Sequence, residues 1–138
     1  NHFESVSRDI REYVQIHADA AYDPVVHLFV FPGIENTFIH MGVRALFEAS
    51  RGICDTIVSR FPDASRCFRH SLREYLIITS IRKKDPLPPD TMKIEFSFRK
   101  IAIPYEYSRY RVTDEFALQK FWSTAFHSHD SFAHGARE

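Results

Sequence analysis

The sequence predicts a single α+β domain in which helices pack on one side of an antiparallel sheet of three to four strands. Three observations support this class. The chain of 138 residues is long enough for one hydrophobic core and too short for two ordinary domains. Hydrophobic residues make up 44% of it and include 13 phenylalanines, which supply the volume to fill that core. The apolar spacing changes along the chain from a helical period to alternation, which predicts the element order α-β-α-α-β-β-β-α.

The N-terminal part is predicted to form a helix and then a strand. Residues 5–21 carry apolar side chains on one face at helical spacing, with charged residues on the other face. This helix is expected to end before Pro24, because the residue before a proline avoids the helical region. Residues 25–31 are mostly β-branched or aromatic and are followed by Pro32 and Gly33, which is typical of a short strand and its turn.

Two helices are predicted next. Residues 38–61 keep apolar side chains at helical spacing, which indicates a long central helix. Gly42 and Gly52 each weaken it by roughly 1 kcal/mol relative to alanine, and the sequence allows a break near residues 50–52. A shorter helix is expected over residues 63–72, with an aspartate carboxylate capping its first turn.

The second half of the chain predicts a sheet. Residues 75–81 form an apolar, strand-like run, and residues 83–90 form a stiff connection rich in proline. Residues 92–103 indicate a long strand, but the apolar alternation changes parity within it, so we expect a bulge or bend at residues 99–100. Residues 105–112 predict a third, polar-faced strand at the sheet edge.

The C-terminal part predicts a last helix and a polar tail. Thr113, Asp114 and Glu115 are typical of a helix start, since a side-chain oxygen caps the free N–H groups and the acids favour the positive end of the helix dipole. Residues 1–126 are therefore predicted to form one domain. Residues 127–138 are expected to fray, because they are mostly polar.

The sequence argues against membrane insertion and secretion. No segment approaches the roughly 18 apolar residues that cross a bilayer, and no signal-peptide pattern is present. Cys54 and Cys67 are too few for a disulfide framework, and both are expected to be free thiols within or under the helical layer. We therefore expect an intracellular protein of the cytosol, nucleus or an organelle matrix, and, since the sequence begins with Asn1, part of a longer protein or a processed subunit.

The charges are unevenly distributed although the net charge is zero. Residues 1–65 contain five basic and nine acidic residues, a net charge of −4. Residues 66–111 contain eleven basic and five acidic residues, a net charge of +6, and residues 112–138 contain two and four, a net charge of −2. A basic segment of this kind attracts an anionic partner or pairs with the acidic helices around it, and the sequence leaves both interpretations open.

The strongest candidate for a binding surface is the segment 105–111, in which tyrosines are interleaved with charged residues. The predicted contact surface consists of Lys83, Lys84, Arg99, Lys100, Tyr105, Tyr107, Arg109, Tyr110 and Arg111. Aromatic and arginine side chains are enriched at protein interfaces, and the same combination stacks on bases and neutralises phosphates of single-stranded nucleic acid. A third interpretation is an edge strand whose charges protect it from aggregation.

Features of an enzyme are weaker. Asp63 after a proline and Glu74 at the head of a strand resemble the paired carboxylates of metal-dependent nucleases, but Leu76 stands where such a site has a lysine. A capping role explains Asp63 equally well. The histidines and the aspartate of the segment 127–134 are suitable ligands for a transition metal, although their spacing matches no closed zinc pattern.

We therefore predict a non-enzymatic protein-interaction domain, or a structural subunit of a larger assembly, that contacts a protein partner through the strand 105–111. Binding of single-stranded RNA or DNA by the same surface is the alternative, and a nuclease-like enzyme using Asp63 and Glu74 comes third. No catalytic residue, metal site or cofactor is predicted, and the oligomeric state is left open.

Overall fold

The computed structural model describes residues 2–64 and 66–123. The helices are α1 (His2–His17), α2 (Ile34–Phe38), α3 (Val43–Arg60) and α4 (Glu115–Trp122), with a 3-10 turn at Ile39–Met41 between α2 and α3. The strands are β1 (Tyr22–Val30), β2 (Cys67–Arg69), β3 (Glu74–Arg82), β4 (Ser97–Phe98), β5 (Ile101–Ala102) and β6 (Glu106–Arg111). In this part of the chain, no helix has the length and apolar character needed to cross a membrane.

Four strands form an antiparallel sheet in the spatial order β2, β3, β1, β6. β1 is a central strand, with Phe29 lying between Tyr75 on β3 and Tyr107 on β6. β4 and β5 form a separate two-stranded sheet. This architecture confirms the predicted α+β class, and the strands expected over residues 75–81 and 105–112 correspond to β3 and to the edge strand β6.

Helices cover both faces of the four-stranded sheet and not one side as predicted, so the fold has two hydrophobic cores. On one face, α1 and α4 pack on the sheet through Ile10, Val14 and Phe121. On the other face, α2, α3 and the segment around β4 and β5 supply a core that is rich in phenylalanine. Because successive residues of a strand point to opposite faces, Leu28 belongs to the first core and Phe29 to the second.

The first helix is shorter at its C-terminal end than the sequence predicts. α1 ends at His17, and the carboxylate of Asp19 accepts the backbone N–H groups of Ala21 at 2.7 Å and of Tyr22 at 2.8 Å. This local turn satisfies backbone groups that a longer helix would have satisfied. β1 therefore begins at Tyr22, three residues earlier than predicted.

The early start of β1 places Pro24 inside a central strand. The N–H of Val112 donates to the carbonyl of Pro24 at 2.9 Å, so the polar groups of Pro24 face the end of β6. The missing N–H of Pro24 therefore costs no hydrogen bond to β3, which explains why a proline is tolerated here.

The predicted central helix over residues 38–61 is divided at Gly42. α2 and the 3-10 turn lie before this residue, and α3 begins directly after it. Gly42 has φ +97° and ψ 160°, a backbone conformation that residues other than glycine rarely adopt. α3 is continuous through Gly52, so the break lies at the first glycine and not near residues 50–52.

The predicted helix over residues 63–72 is wrong. This segment contains a turn and then β2, in which Phe68 pairs with Leu76 of β3. Phe68 is buried in the core on the α1 side, whereas Cys67 packs against the core on the α3 side. Alternation over three residues is too short to distinguish a strand from one helical turn, so pairing with β3 decides the structure.

Residues 92–103 fold back on themselves and do not form the single long strand that was predicted. β4 pairs with β5 in register, and the two residues between them, Arg99 (φ 51°) and Lys100 (φ 68°), are both left-handed. Two positive φ angles are the signature of a two-residue type I′ hairpin turn. The change in apolar parity therefore marks a reversal of the chain, a larger change than the predicted bulge or bend.

The predicted C-terminal helix is confirmed as α4. Asp114 caps its start, because its carboxylate accepts the backbone N–H of Ala117 at 2.7 Å. The tail 127–138 and its histidines, predicted to fray, lie outside the described residues.

Substitution of the two glycines should change stability in opposite directions. Gly42→Ala should lower the free energy of unfolding by roughly 1–3 kcal/mol, because alanine is strained at φ +97°. Gly52→Ala is the matched control: it lies within α3, its Cβ would have nothing within 4 Å, and it should raise stability by about 0.5–1 kcal/mol. Urea denaturation of both variants measures this, and equal effects would contradict the break at Gly42.

Candidate functional site

The predicted contact surface falls on two faces of the sheet. In β6, Tyr107 and Arg109 lie opposite Phe29 and His27 of β1 and therefore share the face that α3 covers. Tyr110 is on the other face, where its ring lies 4.6 Å from that of Phe121. Residues that are contiguous in the sequence thus contribute to different cores.

Two of the tyrosines are packed into the phenylalanine-rich core. The ring of Tyr105 lies 4.9 Å from that of Phe96, and its hydroxyl oxygen accepts the N–H of Ile94. The ring of Tyr107 lies 5.0 Å from that of Phe29. These contacts hold each ring against the core, so both rings are only partly exposed to an external partner.

The two arginines of β6 bind the chain's own backbone. Arg111 forms an ion pair with the buried carboxylate of Asp23 at 3.0 Å. Its guanidinium also donates to the carbonyl oxygens of Arg82, at the end of β3, and of Lys83 and Asp85 in the turn that follows. Arg109 donates to the carbonyl oxygen of Pro88. Both side chains therefore fasten the proline-rich connection to the sheet.

The remaining basic residues occupy two separate turns. Lys83 and Lys84 are exposed in the turn after β3, next to the end of β6, as the contact from Arg111 shows. Arg99 and Lys100 form the tip of the β4–β5 hairpin, where Arg99 pairs with Glu48 of α3 at 3.4 Å. The structure thus brings the first pair to β6 and places the second pair beside α3.

The backbone of β6 has one side available for pairing. Since the N–H of Val112 donates to β1, the alternation of an antiparallel ladder directs the N–H and C=O groups of Tyr110, Ser108 and Glu106 to β1 as well. The N–H and C=O groups of the intervening residues, Tyr107, Arg109 and Arg111, point away from the sheet. Within residues 2–64 and 66–123, no strand pairs with this edge.

His27 is a buried polar residue that the sequence analysis did not single out. Its two ring nitrogens lie 2.7 Å from the Tyr107 hydroxyl and 2.8 Å from the Thr79 hydroxyl, so the imidazole links β6 to β3 across β1. Burial, with a smaller contribution from the Arg109 guanidinium, lowers the pKa of His27 from 6.5 to about 4. A histidine inside an apolar strand is the sequence signal that could have drawn attention to it.

His27 also borders an open cleft. The cleft has a volume of about 380 Å³ and lies between β6, the end of α3 and the proline-rich connection. Because both ring nitrogens already have hydroxyl partners and the ring is neutral at pH 7, His27 serves to hold the strands together. Burial likewise raises the pKa of Tyr107 to about 12, so its phenol stays protonated.

The two carboxylates of the nuclease interpretation have different surroundings. Asp63 is exposed in the turn after α3. Glu74 is buried at the head of β3 and accepts a hydrogen bond from the Ser71 hydroxyl at 2.8 Å, with the His70 ring 3.3 Å away. Among the described residues, no group of three or more histidine, cysteine or acidic side chains is placed to bind a metal ion.

Comparison with known proteins provides no family. No family model matches the sequence, and neither a curated protein nor a solved structure matches it significantly. The chain's own geometry is therefore the basis for any functional conclusion.

Acidification should destabilise the protein through His27. In the unfolded chain the imidazole takes up a proton near pH 6.5, whereas in the folded protein it does so only near pH 4. The folded state therefore loses stability as the pH falls from about 6.5 to 4, by up to about 3 kcal/mol. Urea denaturation at pH 7 and pH 4.5 measures this loss.

His27→Gln should remove most of that pH dependence, because glutamine does not titrate. His40→Gln is the control, since His40 is exposed on the 3-10 turn. An unchanged pH dependence in His27→Gln would show that another group is responsible.

Arg111 should be a structural residue of the fold. Arg111→Met leaves the buried Asp23 carboxylate without its cation, which should lower the free energy of unfolding by roughly 3–5 kcal/mol. Arg82→Met, at the exposed last residue of β3, should change it by about 0.5 kcal/mol or less. Thermal denaturation of both variants tests this, and equal stability of the two would show that the ion pair contributes nothing.

Proposed function

We propose that this chain is a protein-interaction domain that binds an extended segment of a partner along the open side of β6. The observation that supports the proposal is the row of outward N–H and C=O groups of Tyr107, Arg109 and Arg111. An extended peptide that aligns with such an edge adds a strand to the sheet, and main-chain hydrogen bonds supply the affinity. No enzymatic chemistry is part of the proposal.

The charge near this edge favours an acidic partner segment. Lys83 and Lys84 are exposed next to the end of β6, within the stretch 66–111 that carries a net charge of +6. A complementary negative charge would accelerate association and select the orientation of the added strand. The main-chain bonds accept almost any sequence, so this charge is the source of selectivity.

The packing of β6 favours a protein over nucleic acid as the partner. Stacking on bases needs exposed rings on one surface, and here Tyr105 and Tyr107 pack in one core and Tyr110 in the other. Arg109 and Arg111 donate to backbone carbonyls of the chain itself, which leaves fewer free cations for phosphates. Strand addition, by contrast, uses the backbone and leaves these side chains in place.

Arg109→Pro should abolish strand addition while Arg109→Ala should preserve it. Both variants lose the guanidinium, but only proline removes the outward N–H and places its ring in the path of the added strand. The N–H of Arg109 takes no part in the ladder with β1, so proline at this edge position should have a small effect on stability. Partner affinity should fall about tenfold or more in Arg109→Pro relative to Arg109→Ala.

The measurement is quantitative capture from native extract with the wild type and both variants, with and without nuclease treatment, followed by affinity measurement with the purified partner. Hydrogen exchange of the complex should show new protection of the amides of Tyr107, Arg109 and Arg111. Equal capture by the two variants would show that the edge is not used. Loss of the partner on nuclease treatment, with an affinity that falls steeply with salt, would support the nucleic-acid alternative instead.

A further inference from the structure

The two cysteines form a contacting pair at the sheet edge opposite β6. Cys54 lies on α3 and Cys67 on β2, and both are free and half-buried. The Arg69 guanidinium of β2 donates to the Ser50 hydroxyl of α3 at 3.2 Å. Cys54 lies one helical turn after Ser50, and Cys67 lies on the same face of β2 as Arg69, so the two thiols are neighbours where α3 packs on β2.

The two thiols differ in their access to solvent. Cys54 lines an open cavity of about 700 Å³ between α3 and the end of β2, and Cys67 is not among the residues that line it. Arg69 lines the same cavity, and its guanidinium donates to the Ser50 hydroxyl at 3.2 Å. A small molecule in the cavity therefore lies against Cys54 and beside the Arg69 guanidinium.

The two thiols also differ in acidity. The hydrogen bond from Cys67 lowers the pKa of the Cys54 thiol, and the Arg69 guanidinium lowers it further, whereas burial acts in the opposite direction. The hydrogen bond to Cys54, together with burial, raises the pKa of Cys67. Cys54 is thus the more acidic of the two thiols, and it lies beside the Arg69 cation.

We propose that Cys54 and Cys67 are a peroxide-reactive thiol pair, in which Cys54 is the attacking group and Cys67 the resolving group. The Cys54 thiolate attacks one oxygen of a hydroperoxide, the O–O bond breaks, and the leaving oxygen takes up a proton to become an alcohol or water. Cys54 is now a sulfenic acid. The Cys67 sulfur attacks the Cys54 sulfur, the S–O bond breaks, and the hydroxyl leaves as water with the Cys67 proton.

Overall, two thiols and one hydroperoxide react to give one disulfide, one water and one alcohol. When the hydroperoxide is hydrogen peroxide, a second water forms in place of the alcohol. The product joins α3 to β2 and closes the loop of residues 54–67, so oxidation fixes the helix to this side of the sheet. The pair lies across the sheet from β6 and takes no part in strand addition, so the two proposals stand or fall separately.

The first test uses the folded wild-type protein and hydrogen peroxide at stoichiometric concentrations. Intact mass should fall by two hydrogens, and peptide mapping should find a single Cys54–Cys67 disulfide within one molecule. The melting temperature should rise on oxidation, because the cross-link restricts the unfolded chain, and should return to its first value with a thiol reductant. Thiols that stay reduced in the folded protein but react after denaturation would overturn the proposal.

The second test assigns the two roles. In Cys67→Ser, the sulfenic acid at Cys54 has no resolving thiol and should be trapped by dimedone. In Cys54→Ser, Cys67 should give little or no adduct under the same conditions. Equal labelling of the two variants would contradict the assignment of Cys54 as the attacking group, and circular dichroism of each variant establishes that it is folded.

The third test examines the positive charge. Arg69→Gln should slow the reaction of Cys54 with peroxide about threefold or more, because less thiolate is present. Arg60→Gln removes a positive charge from the end of the same helix, outside the cavity, and should react at the wild-type rate. Equal slowing by both substitutions, or by neither, would show that Arg69 does not activate Cys54.

Discussion

Strand β1 is the element on which the rest of the structure depends. It is bonded on both sides and covered on both faces, and eight of its nine residues are buried. Two of the buried residues, Asp23 and His27, are polar and would destabilise the core without partners. β6 supplies a partner to each, through Arg111 and Tyr107. In the sequence, the polar side chains of β6 indicate a binding surface. In the structure, two of them are the partners that the buried polar residues of β1 need.

The parts of the fold that the sequence predicts are those with local signals. α4 is predicted because Asp114 is a strong cap, and β3 because its apolar run is longer than any turn. β2 and the β4–β5 hairpin are missed, since their two or three residues form strands only by pairing with other segments. The division at Gly42 was also missed, because a glycine in a helical pattern indicates a less stable helix and does not specify where the helix breaks.

The candidate site shows the same limit at the level of side chains. Adjacent residues of a strand point to opposite faces, so Tyr107 and Tyr110 belong to different cores despite their closeness in the sequence. The cysteine pair could not be predicted while residues 63–72 were expected to form a helix, because Cys67 reaches Cys54 only from β2. The edge position of β6 was predictable from its polarity, and the proposed strand addition depends on that position.

The long separation between β1 and β6 has a consequence for biosynthesis. His27 and Tyr107 are hydrogen-bonded although they are 80 positions apart in the sequence, so one side of β1 stays open until nearly the whole domain has left the ribosome. During that interval, β1 is an apolar strand with a free edge, and β6 of a neighbouring molecule offers the same hydrogen bonds as its own. At high concentration the fold therefore favours an exchange of β6 between two copies, in which each sheet is completed by the other chain.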